Sequence, residues 1–253
     1  MKKLFFYIIA TAVLLTACHN EKDSPQMTLT VAKPQVELNM QALGKLSIDW
    51  GDGTKDDVFE ITSYSSKYTH KYSDTSFHTI TIIGKNITYL CCNENQIIEI
   101  DISKYPKLKE LVCRINKLTK LDVSKNTELE QLICGNNQLA DLDVSKNAKL
   151  KWLLCGNNQL MCLDVGKNEA LEYLDCNENL LTDLDVSRNV LIEELDCAGN
   201  NFSAEALNSL FETLCKTNRK NRNIFIYGNP GADSCDKSIV ENKGWYIYSI
   251  KTR

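Results

Sequence analysis

The stretch LKWLLCGNNQLMCLDVGKNEA, residues 150–170, decides the fold, because it returns with the same spacing on both sides of itself. Cys155 has Cys134 lying 21 residues before it and Cys176 lying 21 residues after it. Cutting the chain at that interval from Ile87 gives ITYLCCNENQIIEIDISKYPK, LKELVCRINKLTKLDVSKNTE, LEQLICGNNQLADLDVSKNAK, the quoted stretch, LEYLDCNENLLTDLDVSRNVL and a half copy, IEELDCAGNNF. Copies that follow one another without an insertion imply stacked coils that bury a continuous core between them.

With each copy numbered 1 to 21, apolar residues fill positions 1, 4, 6, 11, 14 and 16, and Asn fills position 9 throughout. Asn also fills position 19 in four of the five whole copies, Tyr105 being the exception. Each coil divides into two halves, LxxLxCxxNx and LxxLDVSxNxx, with inward residues alternating as in a short strand and a turn centred on Asn. This pattern predicts strand-like segments on both flanks of every coil, stacked about 4.8 Å apart. The asparagines suit turns in which a buried amide satisfies backbone groups of the next coil.

Over residues 87–202 these residues resemble the leucine-rich repeat family, in its short bacterial variant with nested half-repeats. The resemblance implies a binding scaffold that holds ligands on its strand surfaces. The expected fold class is mainly β with some α: a solenoid of 21-residue coils, preceded by a small β-sandwich and closed by an α/β cap.

Cys92, Cys113, Cys134, Cys155, Cys176 and Cys197 all fall on inward position 6. Parallel Cα–Cβ vectors keep neighbouring β-carbons near the coil spacing, wider than the roughly 3.8 Å a disulfide prefers. A straight row of thiols does not converge on a tetrahedral metal either. These cysteines therefore read as small hydrophobes in a narrow coil. Cys215 and Cys235, beyond the repeats, are candidates for a pair that sequence alone does not decide.

The N-terminus, MKKLFFYIIATAVLLTAC, has two lysines, an apolar run and small residues, the layout of a secretory signal peptide. Leu15-Thr16-Ala17-Cys18 resembles the bacterial lipobox, which implies cleavage after residue 17, acylation of Cys18 and a membrane anchor through that lipid. Residues 18–27 form a polar tether, whose Glu21 and Asp23 resemble the acidic tags that send some Gram-negative lipoproteins to the cell exterior. The expected location is the outer membrane, at the cell surface.

Residues 28–86 read as strands MTLTV, VELNM, KLSIDW, DVFEITSY and HTITIIG, the first starting at Met27. IDWGDGT followed by YTHKY resembles the PKD-type immunoglobulin-like sandwich, here short enough that a strand is either missing or borrowed from the first coil. Asp49, Asp52 and Asp56 lack the spacing of a calcium loop, and turn chemistry accounts for them. After Asn201 the period breaks, and residues 203–253 read as a cap: a Ser-capped helix SAEALNSLFETLCK, a strand NIFIYGN, a short helix near CDKSIVENKG and a strand WYIYSI. The aromatics of this cap are expected to pack within it.

A net charge of −4 offers no basis for gripping nucleic acid. Three histidines, none in a recognised catalytic motif, leave little for catalysis, and the residues imply neither a metal nor a cofactor. The Asp residues around positions 13 to 17 recur with the repeat and read as turn caps offset by Lys104, Lys125, Lys146, Lys167 and Arg188.

On the first strand, position 5 is Val112, Ile133 and Leu154 in three successive copies, then Asp175 and Asp196. With Trp152 and Tyr173 these aliphatics would form an apolar and aromatic patch, flanked by Tyr89 and Arg114. Either a partner covers it, or the N-terminal sandwich or a neighbouring copy of the chain does. The expectation is a non-catalytic exported lipoprotein that recognises a protein, or adheres, through this face. The alternative is a structural or carbohydrate-binding component of a surface assembly, in which the PKD-like part and its aromatics contact a glycan partner.

Overall fold

The computed structural model describes residues 25–58, 65–216 and 222–249. The expected signal peptide, Cys18, most of the tether and the end of the DVFEITSY strand lie outside the described residues.

Six strands precede the repeats: β1 (Gln26–Val31), β2 (Gln35–Gln41), β3 (Leu46–Asp49), β4 (Lys55–Val58), β5 (Ser66–Lys71) and β6 (His78–Gly84). Alternation buries one side of each sheet, with Met27, Leu29, Val31, Val36, Leu38, Met40, Ile48, Ile80 and Ile82 in the shared core. The GDG turn is built as its residues predict: Asp49 Oδ1 accepts from the Gly51 N–H at 3.0 Å and Asp52 Oδ1 from the Thr54 N–H at 3.0 Å. Gly51 has a φ of 82°, and a β-carbon there would meet the Thr79 carbonyl oxygen at 2.4 Å, so only glycine fits.

Both sheets run on across residue 86 into the first coil. In the first sheet the order is β4-β3-β6-β1-β8, where β8 (Ile97–Asp101) belongs to that coil and pairs antiparallel with β1. In the second, β5 and β2 lie beside β7 (Tyr89–Cys91), which opens the repeat ladder. Parallel strands β9 (Glu110–Val112), β10 (Gln131–Ile133), β11 (Trp152–Leu154), β12 (Tyr173–Asp175) and β13 (Glu194–Asp196) follow, one per coil, in strict register. Asn95 joins the two parts: its Oδ1 accepts from the Glu37 N–H at 3.0 Å and its Nδ2 donates to the Glu37 carbonyl at 2.7 Å.

From the second coil on, the asparagine of position 9 performs the same work in each coil. Asn137 Oδ1 accepts from the Leu118 N–H at 3.0 Å while its Nδ2 donates to the Cys113 and Cys134 carbonyls at 3.0 and 2.9 Å. One amide thus ties two coils, as buried backbone groups require. The position 8 residue just before it takes a left-handed φ each time, between 47° at Glu178 and 63° at Gly199.

The second flank departs from expectation. Position 14 to 16 segments form no strand after the first coil, because their backbone goes into tight turns. Asn126 N–H donates to the Val123 carbonyl, Leu129 N–H to the Asn126 carbonyl, and Asp122 Oδ1 takes the Ser124 N–H at 2.8 Å. In the first coil an outside partner, β1, keeps this flank extended. Tyr105 replaces Asn there, and its hydroxyl donates to the Pro25 carbonyl at 2.8 Å.

At the other end α1 (Ala204–Thr213), N-capped by Ser203, precedes β14 (Asn223–Phe225), α2 (Ser238–Asn242) and β15 (Tyr246–Tyr248). Strands β14 and β15 extend the parallel ladder, and Asn229 repeats the turn amide, accepting from the Phe202 N–H at 3.1 Å. The repeat therefore resumes after an inserted helix. Phe211 and Trp245 are buried in the cap and the Phe225 and Tyr248 rings stack at 4.6 Å within it, on the outward side of the ladder, where Tyr246 is exposed. Cys215 and Cys235 are both free thiols.

Candidate binding face of the parallel ladder

Three-residue strands leave positions 3 and 5 outward and position 4 inward. Leu111, Leu132, Leu153, Leu174 and Leu195 are accordingly buried beneath the face. Register places Val112, Ile133 and Leu154 in one file, with Asp175 and Asp196 continuing it. The adjacent file runs Tyr89, Glu110, Gln131, Trp152, Tyr173 and Glu194.

The Trp152 and Tyr173 rings have centroids 4.4 Å apart and planes tilted by 41°. With Leu154, Asp175, Glu194 and Asp196 they line a hollow of about 350 Å³. A second hollow of about 210 Å³ beside it is lined by Arg114, Ile133, Leu154 and Asp175, among others. Of the residues singled out by sequence, five are thus contiguous and Arg114 borders them. Tyr89 stands three strands from Trp152, beyond Glu110 and Gln131, and burial pushes its hydroxyl up to about 12. The N-terminal sheets meet the ladder edge to edge at β7 and leave Trp152 37% exposed, so they do not cover the patch.

Asp175 and Asp196 are site residues that sequence reasoning passed over as ordinary outward acids. Burial pushes the Asp196 carboxyl up to about 6, with the nearby Asp175 charge adding to the rise and the Ala198 N–H opposing it. Burial likewise raises Asp175, against the pull of the Asn177 N–H. Asp101, Asp122, Asp143 and Asp185 behave oppositely: hydrogen bonds from the serine two residues on hold each below the usual range, as turn caps. Tyr227, after β14, also lies close enough to the pair for their charges to help raise its hydroxyl.

The ladder cysteines lie directly under this face, all six at 0% exposure and free. Burial pushes every one of these thiols well above its ordinary value, which suits packing and opposes thiolate chemistry. His70 and His78 are paired with Asp52 and Asp74 at 2.7 and 2.9 Å in the N-terminal sheets, remote in the fold from this ladder. Among the described residues no cluster of three or more His, Cys, Asp or Glu side chains could hold a metal.

These coils, with one short parallel strand each and an Asn ladder, make the chain a leucine-rich repeat solenoid. Solved structures agree on that fold. A leucine-rich repeat protein of Leptospira interrogans is similar with 25% identity and a TM-score of 0.50, over 51% of this chain and 36% of that one. An internalin of Listeria monocytogenes matches with 21% identity and a TM-score of 0.51, over 60% of this chain and 45% of that one. The functional domain of InlJ from Listeria monocytogenes, described as including a cysteine ladder, is 26% identical with a TM-score of 0.47, over 64% of this chain and 49% of that one. The chain thus spans less than half the length of each of these relatives. No protein-family model matches the chain, and no curated protein matches it in sequence.

Proposed function

We propose that the protein is a non-catalytic exported lipoprotein, anchored through acylated Cys18 in the outer membrane and exposed at the cell surface, that recognises a protein partner on the strand face of β9 to β12. Its N-terminal part, residues 28–86, is a PKD-like spacer between lipid and solenoid. The observation that carries the reading is the Val112–Ile133–Leu154 file bordered by Trp152 and Tyr173, apolar surface set among the outward polar residues Glu110, Gln131, Asp175, Glu194 and Asp196. Strand faces of repeat solenoids commonly serve as extended recognition surfaces. The alternative, a structural or glycan-binding component, draws on one feature, the Trp152 ring beside carboxylates.

Binding of the partner recovered by pull-down, compared between the native protein and the Trp152→Asp/Leu154→Asp variant, tests the site. The reading expects loss of binding with the fold retained, and undiminished binding sinks it. Metabolic labelling with palmitate, lost in Cys18→Ala, tests the anchor.

A further inference from the structure

We infer that the hollow beside Trp152 is a socket for one basic side chain, arginine or lysine, of a protein partner. This rests on the strand-face reading and specifies its anchor. Asp175 and Asp196 occupy matched positions on adjacent parallel strands, about 4.8 Å apart by strand spacing. Like charges so placed repel and destabilise the sheet. Just before β10, by contrast, Glu130 sits between Lys109 and Lys151 at 3.3 and 3.0 Å. Among the described residues no cation lies within ion-pair range of Asp175, Asp196 or Glu194.

The hydrogen bonding leaves the pair open to a donor. One oxygen of each carboxylate accepts a local N–H, from Asn177 and from Ala198, both at 3.0 Å. The second oxygen of Asp196 accepts only the Asn177 amide, at 3.3 Å, and that of Asp175 accepts nothing from the described residues. The groups next to the pair are acidic or neutral, Tyr173 on β12, Glu194 on β13 and Tyr227 after β14, while Arg114 lines the second hollow with Asp175 but makes no ion pair with it. Trp152 and Tyr173 wall the hollow with ring surface, which attracts cations. Space is kept by Gly156, where a β-carbon would meet Asn177 Oδ1 at 2.2 Å and Asp175 Oδ1 at 2.9 Å.

An uncompensated, half-buried carboxylate pair inside an aromatic wall is complementary to a guanidinium or ammonium group. A neutral sugar would accept and donate hydrogen bonds there but would leave the repulsion standing. Two carboxylate side chains also fall short of the roughly six to eight oxygens calcium takes.

The test is titration of the full chain with capped pentapeptides of glycine carrying a central arginine, lysine or citrulline, and with a neutral tetrasaccharide, by NMR at pH 7.5. The arginine and lysine peptides should shift the Trp152 indole resonance, with citrulline weaker by at least about tenfold. The isosteric Asp175→Asn/Asp196→Asn variant, which keeps the local acceptors, should weaken the arginine peptide by a similar factor. Equal binding of citrulline, binding unaffected in the double variant, binding of the sugar alone, or no binding by either cationic peptide would each overturn the socket. In the partner assay, loss of binding in Trp152→Asp/Leu154→Asp but not in Asp175→Asn/Asp196→Asn would leave the recognition face standing and remove the socket. Retention in both variants would remove the face itself.

Discussion

Trp152 and Leu153 are neighbours in β11 that stand on opposite sides of the ladder, one 37% exposed and the other fully buried. Strand alternation therefore puts a candidate contact residue and a core residue within a single dipeptide. Trp152→Asp should change unfolding free energy by less than about 1 kcal/mol, as surface substitutions do. Leu153→Ala should cost about 2 to 5 kcal/mol through the cavity it leaves. Urea unfolding of both variants checks this, and comparable losses would place Trp152 inside the core.

The thiols give a second reading of the same geometry. Cys162 is exposed and Cys91 and Cys215 are half-buried, whereas the six ladder thiols are sealed beneath the strands. A thiol reagent should label Cys162 within the mixing time, Cys91 and Cys215 more slowly, and the ladder only on denaturation. Rapid native labelling of six or more thiols would contradict the packing role.

Ile115 holds the left-handed position 8 conformation, φ 55°, that Asn136, Asn157 and Gly199 hold in other coils. A β-branched residue is strained there, by roughly 1 to 2 kcal/mol. Its side chain is 41% exposed, so little packing is lost on removal. Ile115→Asn should therefore raise stability by about 1 kcal/mol, a Tm gain of a few degrees by calorimetry.

Asp196 should make stability depend on pH in a direction opposite to the turn aspartates. Its native pKa of about 6 exceeds the ordinary 3.8, so between those values the native state holds the extra proton. Stability from this group is therefore present at low pH and lost as pH rises through about 6. The turn caps Asp101, Asp122, Asp143 and Asp185 have lowered values and lose their contribution as pH falls instead. Comparing Asp196→Asn with the native protein cancels those terms. The variant's advantage should grow from near zero at pH 4 to about 1 to 2 kcal/mol at pH 7, after discounting for partial exposure. A pH-independent difference would mean that the pair is solvated.

Periodicity made the solenoid legible, since position 4 and 6 residues can face only inward when every copy repeats them. Asn at position 9 was legible as a turn amide for the same reason. The second flank was not, because LDVS reads as a strand by alternation while the Ser124 N–H bonds the Asp122 carboxylate and the Val123 carbonyl takes the Asn126 N–H in a tight turn. The apolar patch could be read from the substitution of Val112, Ile133 and Leu154 into an outward file. The acid pair could not: an outward Asp resembles any other until β14, Tyr227 and the aromatic wall close around it, and the inserted helix α1 hid the resumed repeat in IFIYGN. That segment still carries a signal, since Ile226, Gly228 and Asn229 match positions 6, 8 and 9.

The central claim is that the partner sits on the strand face, and site-specific photocrosslinking tests it most directly. Benzoylphenylalanine placed at Gln131 or Trp152 reports on that face, and at Met161, 70% exposed, it reports on a position outside the strands. Adducts with the recovered partner should form from positions 131 and 152 and not from 161. Adducts from 161 with none from 131 or 152 would contradict the account.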